Sequence, residues 1–409
     1  MRIALATVGT TGDVVPFVAL GRGLTAAGHD VTAVSWELHR EAFEGAASAF
    51  FAAGPPVSRQ EIADTASRAA AAGSPLAQVA VLRDFHLRHA ADHFQQLLDI
   101  LPGHDLVVLH GIHTLAEAAA RDAGLAWASA AFDPVLLPTA TAPPAGMPSL
   151  GPLNRLEWLV LDRMLRRQDK PLRAALEAAG SRSAREVTMF RARSSRLHLV
   201  GCSPRIAPPP ADLARSTHFT GAWVDPAPPA PLPADVERFI AAGTPPVVVT
   251  FGSMATADPA ALASAVVSGI HDAGLRAVLQ GGPAMMDGDD VLSVGTVDHR
   301  VLFPRAAAVI HHGGAGTTHA AVAAGVPSVV IPHVGDQPYW AARLQKLGVA
   351  PSPLDLKAVT PDAVRERVVE ATTEPIRAAA GRLGREVAAE DGLQAAIGLI
   401  EGAMRTPAA

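Results

Sequence analysis

The chain is poor in cross-linking residues. Of 409 residues one is cysteine, Cys202, so no disulfide forms within the chain, and a lone thiol suits a reducing compartment. Cys202 reads as a small residue near a strand end rather than as a nucleophile. Excess charge is missing as well. The net charge is -5 with both signs mixed, which gives no basic footprint for nucleic acid. No apolar run reaches the roughly 18 residues of a membrane span, so no stable membrane insertion is expected. After Arg2 only IALATVG precedes Thr10 and Asp13, too short for a signal core. That segment reads as a first strand, and the protein is expected in the cytoplasm.

Apolar residues are plentiful, at 49% against 18% charged, and the length suits two domains of about 200 residues each. Short apolar strands alternate with helix-length amphipathic segments, which predicts parallel sheets covered by helices, an α/β fold. In the first half strands are expected at 2–8, 29–34, 105–109, 126–130 and, last, 195–200. Helices are expected at 15–27 and 114–123. In the second half strands fall at 247–251, 276–280, 307–311 and 328–331, with helices at 259–273 and 317–324. Prolines mark a boundary from Pro204 to Pro233, a composition that makes a semi-rigid connector. The expected division is an acceptor-binding domain over 1–205, a linker over 206–233 and a donor-binding domain over 234–409. The final helix packs back on the first domain in this reading. Ligands of open α/β sheets bind beyond the carboxyl ends of the strands, so a cleft between the two sheets is the expected site.

The segment His311-His312-Gly313-Gly314-Ala315-Gly316-Thr317-Thr318 lies between an apolar strand and a helix. Glycines there let an anion approach the backbone, and the helix N-terminus favours negative charge. Thr317 and Thr318 can cap the helix and donate hydroxyl hydrogen bonds, and His312 can donate to a phosphate oxygen. A diphosphate held without a metal is the chemistry implied. A plain strand-to-helix turn is the alternative. Adjacent histidines project to opposite sides of an extended chain, which argues against chelation by the pair.

Residues 301–350, VLFPRAAAVIHHGGAGTTHAAVAAGVPSVVIPHVGDQPYWAARLQKLGVA, resemble the donor-binding signature of family-one glycosyltransferases of the GT-B fold. The opening MRIALATVGTTGDVVPFVALGRGLTAAGHDV is similar to the start of bacterial members that modify antibiotics and sterols. The resemblance implies two Rossmann-like domains facing each other across a deep cleft. It also implies a nucleotide-sugar cosubstrate, UDP- or dTDP-linked, and a small apolar acceptor such as a polyketide, macrolide, glycopeptide or sterol. No further cofactor and no metal are implied. By the same resemblance His312, Gly313, Gly314, Gly316 and Thr317 hold the donor diphosphate, Gly252 and Ser253 form a second phosphate-side loop, and Val297 reads the base. Asp336 and Gln337 bind sugar hydroxyls, an assignment their polar chemistry also allows. Plant members often carry an acidic ribose-binding residue eight positions after the phosphate histidine. Here that position is Ala320, which fits a thymidine donor better than uridine.

Asp13 follows the first strand in Gly9-Thr10-Thr11-Gly12-Asp13 and could take a proton from an acceptor hydroxyl. In the resembling bacterial enzymes an aspartate here is a proposed base. Capping and the helix dipole favour aspartate at such a place anyway. An inverting transfer is implied, with Pro16 and Phe17 shaping the acceptor pocket. His86, His89 and His93 share a helical spacing that reads as a solvated face rather than zinc ligands, and His110 and His113 flank a strand end. Arg182, Arg185, Arg191, Arg193 and Arg196 likewise read as a solvated face. Two rivals stay open: a sugar-nucleotide epimerase of similar architecture, and a non-catalytic sugar-nucleotide-binding partner protein. A dinucleotide oxidoreductase fails because Gly9-x-x-Gly12 lacks the full GxGxxG spacing. The oligomeric state is unreadable, a homodimer included.

Overall fold

A computed structural model describes residues 1–405 apart from 73, 145–146, 148, 253–257 and 282–285. The chain divides into two compact units. The first takes residues 1–204, 208–227 and 391 onward; the second takes 205–207 and 228–390.

The first unit is built on strands β1 (Arg2–Ala6), β2 (Asp30–Ser35), β3 (Ala49–Ala52), β4 (Leu106–His110), β5 (Trp127–Ala131), β6 (His198–Val200) and β7 (Thr217–Phe219). They pair in parallel in the order β3-β2-β1-β4-β5-β6-β7. The second unit carries β8 (Val247–Thr250), β9 (Ala277–Gln280), β10 (Val291–Val294), β11 (Ala308–His311) and β12 (Ser328–Val330). Their order is β10-β9-β8-β11-β12, again parallel. Helices cover both faces of such sheets, so the central strands are apolar throughout rather than alternating. Leu106, Val107, Val108 and Leu109 are all completely buried. The chain reverses its winding between β1 and β4, and again between β8 and β11. Ligands of doubly wound sheets bind at such points.

Helix Thr11–Ala26 runs one turn earlier than hydrophobic periodicity indicates, because Thr10 and Asp13 start it. It stops where Gly28 adopts φ +85°, with the Gly28 and His29 amides donating to the Thr25 and Leu24 carbonyls. The sequence predicts a first sheet that ends at 195–200 and a linker over 206–233. Instead Thr217–Phe219 adds an edge strand, with His198 opposite Thr217 and Val200 opposite Phe219. An edge strand needs one hydrogen-bonded side only, so three residues between proline-rich flanks suffice. The stretch is anchored by Trp223, whose ring lies 5.3 Å from Phe132. β3 and β10, four residues each, were also too short to signal themselves. The last helix, Gly392–Arg405, buries Leu393, Ala396, Ile397 and Ile400 within the first unit. Its Glu401 lies 3.0 Å from His29 Nε2. Among the described residues no helix is long and apolar enough to cross a membrane.

Histidines are unusually deep. His86 and His93 do not sit on a solvated face: His93 is buried, and His86 packs against Trp36, Phe85 and Phe190. Burial lowers the pKa of His86, His198 and His319 to about 4 and that of His93 and His311 to about 3. These rings are neutral in the folded chain and take up protons on unfolding. Their contribution to stability is therefore complete above about pH 6.5 and is lost as pH falls toward 4. Urea midpoints measured across pH 7 to 4 should fall steeply between 6.5 and 4, and a flat profile there would contradict neutral burial. A second prediction concerns close packing. A Cβ on Gly384 would lie 2.6 Å from the Gly325 Cα and 2.7 Å from the Val322 carbonyl oxygen. Gly384→Ala should cost about 1–3 kcal/mol by overpacking. Gly398→Ala, with nothing within 4 Å, should stabilise by up to about 1 kcal/mol through helix propensity. Thermal midpoints of the two variants check both signs.

Candidate active site

Four strand ends of the first sheet bring titratable side chains together. Beyond β1, Asp13 is the third residue of helix Thr11–Ala26, and its Oδ2 accepts from the Thr10 amide at 2.7 Å and the Thr10 hydroxyl at 2.9 Å. Gly9 has φ +120°, and a Cβ there would lie 2.4 Å from that same oxygen. Glycine is thus required twice over, by conformation and by space. The other carboxylate oxygen, Oδ1, lies 3.9 Å from Nδ1 of His110, the last residue of β4. That separation is too long for a hydrogen bond, and His110 Nδ1 is buried with no other partner. The two carboxylate oxygens of Asp13 therefore have different surroundings. One oxygen caps the helix; the other is left beside an imidazole, in a side chain 29% exposed.

Burial lowers the His110 pKa against the pull of the Asp13 charge, so the ring is neutral. His39, which follows β2, is held to about 4 by burial, again with Asp13 opposing. Its Nδ1 lies 2.9 Å from the Ser35 hydroxyl, which donates to the Thr7 carbonyl at 2.7 Å. Asp133, just past β5, accepts from the Val135 amide at 2.9 Å. Burial, reinforced by the charge of Asp13, raises its pKa above the usual carboxylate range. Phe17 does not line a pocket. It is completely buried, with its ring 5.8 Å from His110, 5.9 Å from Phe132 and 6.2 Å from Trp223. It backs the imidazole instead. Pro16 is half-buried inside the helix.

In the second unit β11 ends at His311, opposite Thr250 at the end of β8. Gly313 has φ +87°, and a Cβ there would lie 2.9 Å from the Val330 side chain and 3.0 Å from the Gln337 carbonyl. Gly314, not a threonine, is the N-cap of helix Ala315–Ala323. Thr317 and Thr318 stand within the helix, Thr317 half-buried and Thr318 buried. The Ala315, Gly316 and Thr317 amides head the helix and lack carbonyls one turn back; the Thr318 amide is the first to donate to Gly314. Nothing lies within 4 Å of where a Gly316 Cβ would be. The His312 ring sits between two glycines. A Cβ on Gly314 would fall 2.4 Å from its Nε2, and one on Gly252 would fall 3.3 Å from its Cε1. Burial, aided by His333, holds His312 to about 4, so it is neutral. Ser253 lies outside the described residues.

Val297 is buried, and its carbonyl accepts from the Gln280 side chain at 3.0 Å. The neighbouring His299 ring stacks on Phe303 at 4.1 Å. Asp336 and Gln337 are not a free turn; they open helix Gln337–Lys346. Gln337 is buried, its Oε1 accepting from the His333 and Val334 amides at 2.7 and 3.0 Å. Asp336 Oδ2 accepts from the Trp340 indole at 2.6 Å. His39, Asp133 and His333 carried no motif in the sequence. Their only signal is position, within a few residues of a parallel strand's carboxyl end. Among the described residues both buried His333 ring nitrogens lack hydrogen-bond partners, and the ring lies 6.3 Å from that of His312.

Known proteins resemble the chain in sequence and in fold. The family model of the erythromycin biosynthesis protein CIII-like C-terminal domain matches residues 282–398, which include the glycine loop and Gln337. The chain is 35% identical to O-mycaminosyltylonolide 6-deoxyallosyltransferase of Streptomyces fradiae, over 98% of this chain and 97% of the relative. It is 31% identical to vancomycin aglycone glucosyltransferase of Amycolatopsis orientalis, over 85% of each. The crystal structure of glycosyltransferase VinC in complex with dTDP has the same fold, at a TM-score of 0.66 and 20% identity over 99% of this chain and 100% of that one. The chain belongs to the family-one glycosyltransferases of the GT-B fold.

Proposed function

We propose that the protein transfers a sugar, with inversion, from a dTDP-sugar to a hydroxyl of a small apolar secondary metabolite. The observation that carries this is the neutral His312, seated between Gly252 and Gly314 beside the first three amides of helix Ala315–Ala323, which have no helical carbonyl one turn back. Such a helix end suits a diphosphate: the amides donate and the dipole favours negative charge. Ala320 offers no carboxylate for a second ribose hydroxyl, and the relative VinC was solved with dTDP. The Streptomyces fradiae relative is named for a 6-deoxyallosyl group, which supports a deoxysugar here.

In this reading Asp13 Oδ1 takes the acceptor proton as the hydroxyl oxygen bonds to the anomeric carbon. The bond from that carbon to the diphosphate oxygen breaks, and its electron pair leaves with the diphosphate. The helix amides and His312 stabilise that charge without reorganising, and removing one such donor typically costs about 3–4 kcal/mol of barrier. His110 faces the protonated Asp13 with an unpartnered nitrogen, and Phe17 fixes its ring. In the same reading the transfer needs no resident metal, so chelation with EDTA should leave turnover unchanged.

Calorimetry with dTDP, UDP and NAD tests the donor site. dTDP should bind most tightly and NAD not at all; failure of both diphosphates to bind folded protein would sink the reading. His312→Ala should weaken dTDP about tenfold. Asp13→Asn should cut turnover by a factor of about 10² to 10⁴ while leaving dTDP affinity unchanged. An active Asp13→Asn enzyme would remove Asp13 from the mechanism.

A further inference from the structure

Of the arginines before β6, Arg182, Arg185 and Arg193 are exposed, as a solvated face requires, but Arg191 is not. Arg191 is withdrawn from solvent, its side chain 4% exposed, and it lines a polar cavity of about 150 Å³ in the first unit, apart from Asp13 and its neighbours. Ion pairs frame this cavity. Arg121 binds Glu117 and Glu186, each at 3.0 Å, while Asp162 binds Arg166 at 2.8 Å and Arg191 at 3.0 Å. These pairs leave a remainder. Four guanidinium groups, including Arg193, face three carboxylates, so the lining has one positive charge to spare. Arg193 makes no hydrogen bond or ion pair among the described residues.

Three buried polar atoms at the cavity are also without hydrogen-bond partners: the Thr188 hydroxyl, Arg191 Nε and Glu117 Oε2. Each such atom costs about 1–3 kcal/mol if nothing occupies the space. Thr188 is 6% exposed and Glu117 4%, so bulk water does not satisfy them. A structural ion-pair network explains the paired groups, but not the three orphaned buried atoms. Burial also raises Glu117 to about 7, against the pull of Arg121, so its carboxyl is in part protonated near neutrality and can donate.

We propose that this cavity is a second anion site, distinct from the donor loop, which takes the phosphate group of a free phosphate or of a phosphomonoester. Arg193 and Arg191 Nε supply charge-assisted donors, Thr188 donates its hydroxyl, and the three carboxylates hold the guanidinium groups in place. Small size and a predominantly polar lining disfavour an apolar ligand.

The test is titration calorimetry of inorganic phosphate and of glucose 6-phosphate into the full chain at pH 7. Besides the wild type it uses Arg193→Gln, Thr188→Val and His312→Ala. One saturable site should appear that Arg193→Gln and Thr188→Val each weaken about tenfold and His312→Ala leaves unchanged. Tighter glucose 6-phosphate would assign the site to a phosphomonoester, and equal or tighter inorganic phosphate to the free anion. Absence of saturable binding would overturn the proposal, as would binding that ignores Arg193→Gln but vanishes in His312→Ala. Arg193 is exposed, so its variant remains folded and interpretable if Thr188→Val does not.

Discussion

Parallel strands buried on both faces have nowhere to put polar chemistry except at their ends. This constraint organises the whole molecule. Leu106 to Leu109 and Val247 to Val249 are sealed under helices, so reactive groups appear only where a strand gives way to a loop. Asp13, His39, His110 and Asp133 each stand at or just past the carboxyl end of a strand in the first sheet. His312 and His333 do the same in the second. The loops are short, which fixes these side chains to within the tolerance of the strands that carry them.

A second consequence of burial is electrical. Low dielectric discourages charge, and the histidines at both sites respond by staying neutral. A neutral imidazole beside Asp13 places no positive charge against the carboxylate. A neutral imidazole beside the glycine loop can still donate one hydrogen bond. It adds no positive charge there. Asp13 keeps its place by a different device, with one oxygen locked by Thr10 and the other released.

Much of this was legible before any coordinates. The central strands announced themselves through runs such as LVVL and VVVT, and the loop at His312 through its glycines. The edges did not. AFFA, THF and VLSV are too short for periodicity, and a proline-rich setting disguised the strand at Thr217–Phe219. Direction was also hidden. Nothing in the residue order says that Phe17 turns inward behind His110, or that Gln337 spends its carbonyl oxygen on the backbone of His333 and Val334. The burial of Arg191 was hidden because its carboxylate partner, Asp162, is contributed by a helix distant in sequence.

The return of the last helix to the first unit sets an order of assembly. Residues 228–390 form a nearly continuous body, whereas the first unit lacks the cover over Gly23 until Leu393 and Ile397 have been synthesised. On the ribosome, which extends the chain from its amino end, the second unit can therefore be complete while the first still exposes an apolar stripe of helix Thr11–Ala26. The unit that begins first is closed last.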